Sequence, residues 1–197
     1  MPQSWANEPI RRIRHSSTPS DSGLIFIVGG EKADGSANTF PDNYIFDPNI
    51  LSFVQLPDAS GPSDIYDHAS IMLNDGRLLV LGGYYQPQNT LIPFTNIWSF
   101  DTRASPSSWS LLSTSNATLP NPRRAFAATL LVNGKVLIHG GGDAALQQNY
   151  ADGWILDTSS DPMTWTNIES LTQLGARRDH FAVPVNSGHQ VLFGFGQ

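Results

Sequence analysis

Short apolar runs recur along the chain, and each run closes on glycine. The four runs are LIFIVGG at 24–30, RLLVLGG at 77–83, KVLIHGG at 135–141 and QVLFGFG at 190–196. Their first glycines stand 53, 58 and 54 residues apart, which leaves room for four short strands and their turns. A recurring interval of this length indicates a repeat architecture with one supersecondary unit per repeat. The pairs that mark the first three repeats are Gly29 and Gly30, Gly82 and Gly83, and Gly140 and Gly141.

Each repeat predicts four strands, a to d. Strand a is expected at 68–73, 125–132 and 179–186, and Asn-Asp-Gly or Asn-Gly then turns it into strand b in the second and third repeats. Such turns are the strongest short-range signal for a hairpin. Strand b is apolar at successive positions up to its glycines, which is typical of an inner strand covered on both faces. No stretch shows a helical period.

Strands c and d carry aromatic residues in register. Tyr44, Trp98 and Trp154 follow the glycine pairs, and each stands three residues before an aspartate that begins a turn. Trp109 and Trp165 come eleven residues after Trp98 and Trp154. Large aromatic rings bury much apolar surface. The four tryptophans are therefore expected to fill the wide outer space between neighbouring sheets.

A further column stands at the start of strand a, with arginines just ahead of it in three repeats. The column is His15, His68, Phe126 and His180, and the arginine pairs stand at 11–12, 123–124 and 177–178. An apolar b strand ending in two glycines, an aromatic residue in c, a tryptophan in d and this Arg/His start together resemble the kelch repeat. The units of that family are blades of a β-propeller.

The resemblance implies an all-β, kelch-type β-propeller in a single unit over 1–197. Blade 1 is expected at about 13–56, blade 2 at about 67–113, blade 3 at about 125–169 and half of blade 4 at about 179–195. That is about three and a half blades, where propellers typically have four to eight. We therefore expect an incomplete, open propeller, a fragment of a longer one. The alternatives are self-association through the open ends, and closure by a d strand around Trp5.

Composition excludes several classes of function. The net charge of −6 and the lack of a Lys/Arg stripe exclude a nucleic-acid partner. The chain has no cysteine, hence no disulfide and no thiolate metal site. No run approaches the roughly 20 apolar residues of a membrane span, so no membrane contact is expected. The N-terminus does not resemble a signal peptide, which favours the cytoplasm if Met1 is the true start, and secretion or anchoring otherwise.

Two motifs suggest chemistry and are better explained by the repeat. His139 to Gly142 match the HGGG oxyanion-hole motif of lipases and esterases, but the chain has no Gly-x-Ser-x-Gly nucleophile elbow. The histidine column could supply imidazole ligands around a channel, yet Phe126 occupies the same column. We therefore predict neither a catalytic residue nor a metal or other cofactor. Asn116 stands in an Asn-Ala-Thr sequon, which matters only in a secreted protein.

Galactose oxidase is built on a similar propeller of kelch-like blades. Its copper site, as the family is known, uses tyrosines and histidines, with one tyrosine cross-linked to a cysteine. This chain lacks cysteine and cannot assemble that cofactor. The resemblance therefore implies the fold and not the activity. A fragment of a galactose-oxidase-like enzyme whose catalytic residues lie in absent blades remains the alternative to a non-enzymatic function, and a nonfunctional truncated product is a third reading.

The long b-to-c and d-to-a loops are expected on one face, which we call the loop rim, with only tight turns on the other. They span 31–42, 84–95, 142–151, 57–66, 114–124 and 170–178. Long loops on a rigid scaffold are where binding is usually found, and aromatic and arginine side chains are typical anchors. The rim candidates for binding an unidentified protein partner are Tyr84, Tyr85, Phe94, Arg123 and Arg177. The arginines have a rival role in hydrogen bonds between blades.

Overall fold

The computed structural model describes residues 7–36, 38–57, 61–115 and 117–197. The predictions on Trp5 and Asn116 lie outside these ranges. The fold is all-β, with several small antiparallel sheets, and none of the described sheets closes on itself. The strands in chain order are β1 Arg12–Ile13, β2 Ser16–Pro19, β3 Ile25–Val28, β4 Glu31–Lys32, β5 Tyr44–Asp47, β6 Ser52–Gln55, β7 Ile65–Tyr66, β8 Ala69–Met72, β9 Arg77–Leu81, β10 Tyr84–Tyr85, β11 Thr90–Leu91, β12 Asn96–Asp101, β13 Trp109–Ser113, β14 Ala127–Leu130, β15 Val136–His139, β16 Gly153–Asp157, β17 Thr164–Ile168, β18 Phe181–Val185 and β19 Gln190–Gly194.

Three four-stranded antiparallel sheets and one hairpin make up most of the structure. The first sheet runs β2-β3-β5-β6, the second β8-β9-β12-β13 and the third β14-β15-β16-β17. Strands β18 and β19 form a hairpin. Each sheet is a meander, as its hairpin turns predict. Gly76 and Gly134 adopt left-handed φ angles of +86° and +79° in the turns from strand a to strand b.

The sheets stack side by side, with their first strands adjacent in the order β2, β8, β14 and β18. The packing of β9 explains why its four residues after Arg77 are all apolar. Leu78 and Val80 belong to a core cluster shared with the first sheet, while Leu79 and Leu81 belong to a cluster shared with the third sheet. Because side chains alternate along a strand, an inner strand packed on both faces needs apolar residues at every position. Trp109 is buried in the first of these clusters, and Trp154 and Trp165 in the second. Trp98 is partly buried and packs against the cluster shared with the first sheet.

The glycine pairs adopt left-handed backbone angles where neighbouring sheets meet. The first glycine of each pair has φ near +60°, as at Gly29 and Gly82, and the second has φ between +90° and +102°. A Cβ on Gly29 would overlap the carbonyl oxygen of Ile65, on the approach to the second sheet. Glycine is required here both for the conformation and for the close approach.

The fourth repeat departs from the expected register. Phe195, at φ +59°, adopts the first-glycine conformation, and Gly196 lies beside Arg178 and His180 as Gly83 lies beside Tyr66 and His68. The expectation that Gly194 is the first glycine is therefore wrong. One more residue separates His180 from Phe195 than separates His68 from Gly82, so Gly194 stays inside β19.

Short elements in the long loops were not expected from the sequence. Strands β1 and β4 pair with each other, and β7, β10 and β11 form a three-stranded sheet. Two 3-10 helices lie at Gln86–Gln88 and Glu169–Leu174. Two or three residues are too few to show a period. The loop rim is thus partly ordered by its own backbone hydrogen bonds.

Candidate functional site

Tyr84 and Tyr85 lie in β10, at the loop rim of the second sheet, and both are half-buried. Their side chains point to opposite sides of the strand. The Tyr84 ring lies 5.3 Å from the Tyr66 ring, and the guanidinium carbon of Arg124 lies 4.9 Å from the Tyr84 ring centre. This cation–π arrangement fixes Tyr84 as part of the rim itself. Tyr85 instead lines a surface cleft.

The cleft beside Tyr85 has a volume of about 310 Å³. Its walls come from both loops of the second sheet and from the adjoining strands, and no lining residue carries a charge. The lining residues are Gly61, Ser63, Ile65, Tyr85, Gln88, Thr90, Leu91, Ile92, Pro93, Asn96, Trp98 and Leu111. A mixed lining of aliphatic, aromatic and amide groups suits an uncharged apolar side chain that is anchored by a few hydrogen bonds.

Phe94 is not part of the rim surface. Its side chain is 1% exposed and makes edge-on contacts with the rings of Phe126 and Trp165. Its carbonyl oxygen accepts hydrogen bonds from Thr114 Oγ1 at 2.8 Å and from Trp165 Nε1 at 3.3 Å. The prediction that Phe94 anchors a partner is corrected by this burial, because it packs in the core between the second and third sheets.

Arg123 is also buried, with an exposed fraction of 0%. Its guanidinium donates to both carboxylate oxygens of Asp152, at 2.6 and 2.9 Å, and to the Gly140 carbonyl at 3.0 Å. Burial acts to raise the pKa of Asp152, but hydrogen bonds from Arg123 and Trp154 outweigh it and hold that pKa below its usual value. Arg123 therefore joins loop to strand inside the third sheet, and not one blade to the next as its rival role predicts, and its buried side chain is not available to a partner.

Arg177 precedes β18 and is half-buried. It donates a hydrogen bond through Nη2 to the Leu174 carbonyl, whereas its buried Nε has no hydrogen-bond partner among the described residues. Among the ion pairs of those residues, none involves Arg177. Of the five rim candidates, Arg177 is thus the one whose buried Nε donates to no acceptor among the described residues.

Charged side chains cluster just before β2, β8 and β14, and the sequence analysis did not predict this cluster. Asp67 lies 3.8 Å from Arg14 and 3.6 Å from Arg124, and Arg14 also pairs with Glu31 at 3.1 Å. Burial raises the pKa of Asp67, and the two arginines act against it.

The same region holds a chain of backbone hydrogen bonds. The amides of Asp67, Ala125 and Asp179 donate to the carbonyls of Arg14, Asp67 and Ala125 in turn, at 2.9–3.1 Å. All four residues have left-handed φ angles between +53° and +57°. Because non-glycine residues rarely adopt this conformation, the sequence carried no signal for it.

Two histidines of the column, His68 and His180, each contact a side chain of the preceding sheet. His68 Nε2 lies 2.8 Å from Ser16 Oγ, and His180 Nε2 lies 3.0 Å from His139 Nδ1. Burial lowers the pKa of all three of these histidines. Among the described residues no group of three or more histidine, cysteine, aspartate or glutamate side chains could hold a metal ion. In the same ranges no helix is long and apolar enough to cross a membrane.

Comparison with known proteins agrees with this architecture. The family model described as the KLHDC2/KLHL20/DRC7 Kelch-repeats domain matches residues 1–196. The chain is 32% identical over 188 residues to a flagellar outer arm dynein alpha chain of Chlamydomonas reinhardtii, covering 92% of the chain and 4% of that protein. It is 27% identical over 193 residues to an F-box/kelch-repeat protein of Arabidopsis thaliana, covering 94% and 39%.

The chain therefore spans well under half the length of these relatives. Such domains generally serve as protein-interaction scaffolds. Because the family model covers nearly every residue, and the described sheets repeat as its blades do, the chain belongs to the kelch-repeat family.

Proposed function

We propose that this chain is a non-enzymatic recognition module that binds a protein partner through the loop rim of the second sheet. The observation that carries the proposal is the uncharged cleft beside Tyr85. Tyr84 and Tyr85 lie outside the repeat pattern of the sequence, and Tyr85 packs on the core on one side while it lines the cleft on the other. A half-buried tyrosine next to an apolar cleft is typical of an interface anchor.

The chemistry of the cleft limits the partner. Its walls hold Leu91, Ile92 and Trp98 for an apolar side chain, and Gln88 and Asn96 for backbone or amide hydrogen bonds. No lysine, arginine, aspartate or glutamate lines it. The fitting occupant is an extended peptide segment with an uncharged aliphatic or aromatic residue at its centre.

A larger cleft of about 490 Å³ on the turn face is a weaker candidate. It lies between the outer strands of the first sheet and the turn after β12. A cleft of about 450 Å³ recurs at the corresponding place between the second and third sheets. Both openings follow from the divergence of outer strands in a stack of twisted sheets. The cleft beside Tyr85 is lined instead by both long loops of one sheet.

The test is a selection of peptides from a random library on the immobilised chain, followed by binding measurements on variants. We expect the selected peptides to share an uncharged apolar centre and to lose at least tenfold in affinity for Tyr85→Ala or Leu91→Asp. Val132→Asp, a change at an exposed residue of a turn on the opposite face, should leave binding unchanged. Peptides that bind Tyr85→Ala and the unmodified chain equally well would overturn the proposal.

A further inference from the structure

A two-residue strand, β11, forms the outer edge of the small sheet at the loop rim. The strand order of that sheet is β11-β10-β7, and Leu91 lies opposite Tyr84 while Thr90 lies opposite Tyr85. Within the described ranges no strand pairs with the outer edge of β11. This edge lies between the second and third sheets, both of which have four strands, and it is open nevertheless.

The hydrogen-bond pattern determines which backbone groups of β11 face outward. The amide of Ile92 donates to the carbonyl of Gly83 at 2.9 Å, so these two residues form a hydrogen-bonded pair. Because such pairs alternate with non-hydrogen-bonded pairs in an antiparallel ladder, Leu91 and Tyr84 form a non-hydrogen-bonded pair. The amide and the carbonyl of Leu91 therefore point away from β10, toward the open edge. The carbonyl accepts a long hydrogen bond of 3.5 Å from the Thr90 hydroxyl, which leaves it a free lone pair.

Two clefts lie on the two faces of this edge. The first is the cleft beside Tyr85, which also contains Ile65, and these two residues lie opposite each other and so point to the same face of the small sheet. The other face carries Tyr84 and Leu91 and turns toward the third sheet, because the Arg124 guanidinium carbon lies 4.9 Å from the Tyr84 ring centre. A second cleft, of about 470 Å³, lies between β11 and the loops of the third sheet.

This second cleft, the cleft beside Tyr150, is uncharged like the first. It shares Thr90 and Leu91 with the first cleft, and its opposite wall consists of Asn121, Pro122, Ala144 and Tyr150. The Tyr150 ring stacks on the buried guanidinium of Arg123, whose carbon lies 4.4 Å from the ring centre. A ring that is already held in place loses little freedom on binding, so it suits an apolar side chain of a partner.

A carboxylate stands beside each cleft in the sequence. Asp64 follows Ser63 of the first cleft, and Asp143 precedes Ala144 of the second. Among the ion pairs of the described residues, none includes either aspartate. The whole chain carries a net charge of −6. A segment with lysine or arginine beside its uncharged residues therefore complements this surface, whereas a second copy of the acidic chain does not.

We propose that one extended segment of a partner protein binds across the open edge of β11 and occupies both clefts. This rests on the function proposed for the cleft beside Tyr85 and extends it to a second cleft and to the backbone between them. One residue of the segment exchanges two hydrogen bonds with the amide and carbonyl of Leu91, and its side chain enters the cleft beside Tyr150. Because side chains alternate along a strand, the next residue enters the cleft beside Tyr85. Both residues are uncharged, and lysine or arginine flanks them.

The probe is the tightest peptide from the library selection whose affinity falls for Tyr85→Ala, with each of its residues N-methylated in turn. Binding to the 197-residue chain is followed by fluorescence polarisation. We expect N-methylation of one residue to lower the affinity about tenfold or more, because it removes the donor to the Leu91 carbonyl and places a methyl group against the edge. The amides of the two adjacent residues point away from β11, so their N-methylation should change the affinity by less than about threefold.

Variants of the chain test the same contacts from the other side. Leu91→Pro removes the outward amide without removing a hydrogen bond to β10, and should lower the affinity about tenfold. Tyr150→Ala should remove the preference for an apolar residue at the position that is sensitive to N-methylation, whereas Tyr150→Phe, which keeps the ring, should retain it. Val132→Asp on the opposite face should change neither measurement.

The outcomes separate this proposal from the function on which it rests. If no selected peptide depends on Tyr85, both are overturned. A peptide that depends on Tyr85 but tolerates N-methylation at every position, binds Tyr150→Ala unchanged, or carries aspartate or glutamate beside its uncharged residues would overturn this proposal alone. So would self-association of the chain that Leu91→Pro abolishes, because a second copy would then occupy the edge. The peptide scan decides even if Leu91→Pro perturbs the loop, since the scan leaves the protein unaltered.

Discussion

At the scale of single residues, the contact between His139 and His180 makes the hairpin sensitive to pH. The rings share one hydrogen bond of 3.0 Å in a buried junction, with Arg177, Asp152 and Asp179 nearby. Burial lowers the pKa of His180 to about 4 and that of His139 below its usual value. The unfolded chain therefore binds protons that the folded chain excludes, and stability falls as pH drops from about 6.5 toward 4.

The chain itself supplies the control for this pH dependence. Leu81 and Phe126 hold the positions of His139 and His180 at the junction between the second and third sheets. We expect the double change His139→Leu and His180→Phe to flatten the fall in unfolding free energy between pH 7 and pH 5, measured by chemical denaturation at each pH. His68, whose pKa burial lowers to about 3, should retain its own part of the slope. An unchanged slope would show that the pair does not couple stability to pH.

Substitutions in the ion pair of Arg123 and Asp152 test how much stability the protein loses when a partly buried carboxylate has no partner. Arg123→Ile leaves the carboxylate of Asp152 unpaired in a partly buried site, and such a loss costs about 3 kcal/mol of unfolding free energy. In the second sheet the corresponding positions hold Ile65, three residues before His68, and Asn96, two residues before Trp98. The double change Arg123→Ile and Asp152→Asn introduces that uncharged pair into the third sheet. It should recover at least half of that loss in denaturant titrations. If the double variant is no more stable than the single one, the unpaired charge is not the source of the cost.

At the scale of elements, two glycines in different surroundings separate the cost of backbone strain from the cost of a steric overlap. Gly23, in the turn after β2, has φ +83° and open space around the place of a Cβ, whereas Gly29 has φ +60° and lies against the Ile65 carbonyl. Gly23→Ala should cost about 1 kcal/mol, from backbone strain alone. Gly29→Ala should cost more than twice as much, because its Cβ also displaces the neighbouring backbone. Equal losses in unfolding free energy would assign the glycine requirement to φ alone.

The same elements show what the sequence could predict. Strands β3, β9, β15 and β19 all lie within the four apolar runs. Strands β9 and β15 are buried on both faces, which explains their unbroken apolar pattern. The fourth glycine register was not predictable by counting, because one additional residue between His180 and Phe195 moved the left-handed position onto Phe195. The burial of Phe94 was also hidden, since an aromatic residue in a loop looks the same whether it faces solvent or the core. Tyr85 was singled out from the sequence, whereas its cleft needed the fold.

At the scale of the whole molecule, the β18–β19 hairpin exposes an apolar surface that the other sheets cover. Phe181, Val183 and Leu192 lie on one face of the hairpin and are 37%, 41% and 51% exposed, and Phe195 beside them is 85% exposed. In the first two sheets the corresponding face packs on the next sheet. Contiguous apolar surface of this kind favours association.

We expect the 197-residue chain to associate reversibly through this face. In sedimentation velocity the average mass should rise with concentration, and Val183→Thr combined with Leu192→Lys should shift the rise to at least tenfold higher concentration. Ile50→Lys is the matched control, since Ile50 is 71% exposed in the turn after β5, away from the hairpin. If both substitutions change the mass equally, added charge alone accounts for the effect. If only the hairpin change acts, the exposed face is the surface of association, because a single lysine elsewhere adds the same charge without covering or removing that face.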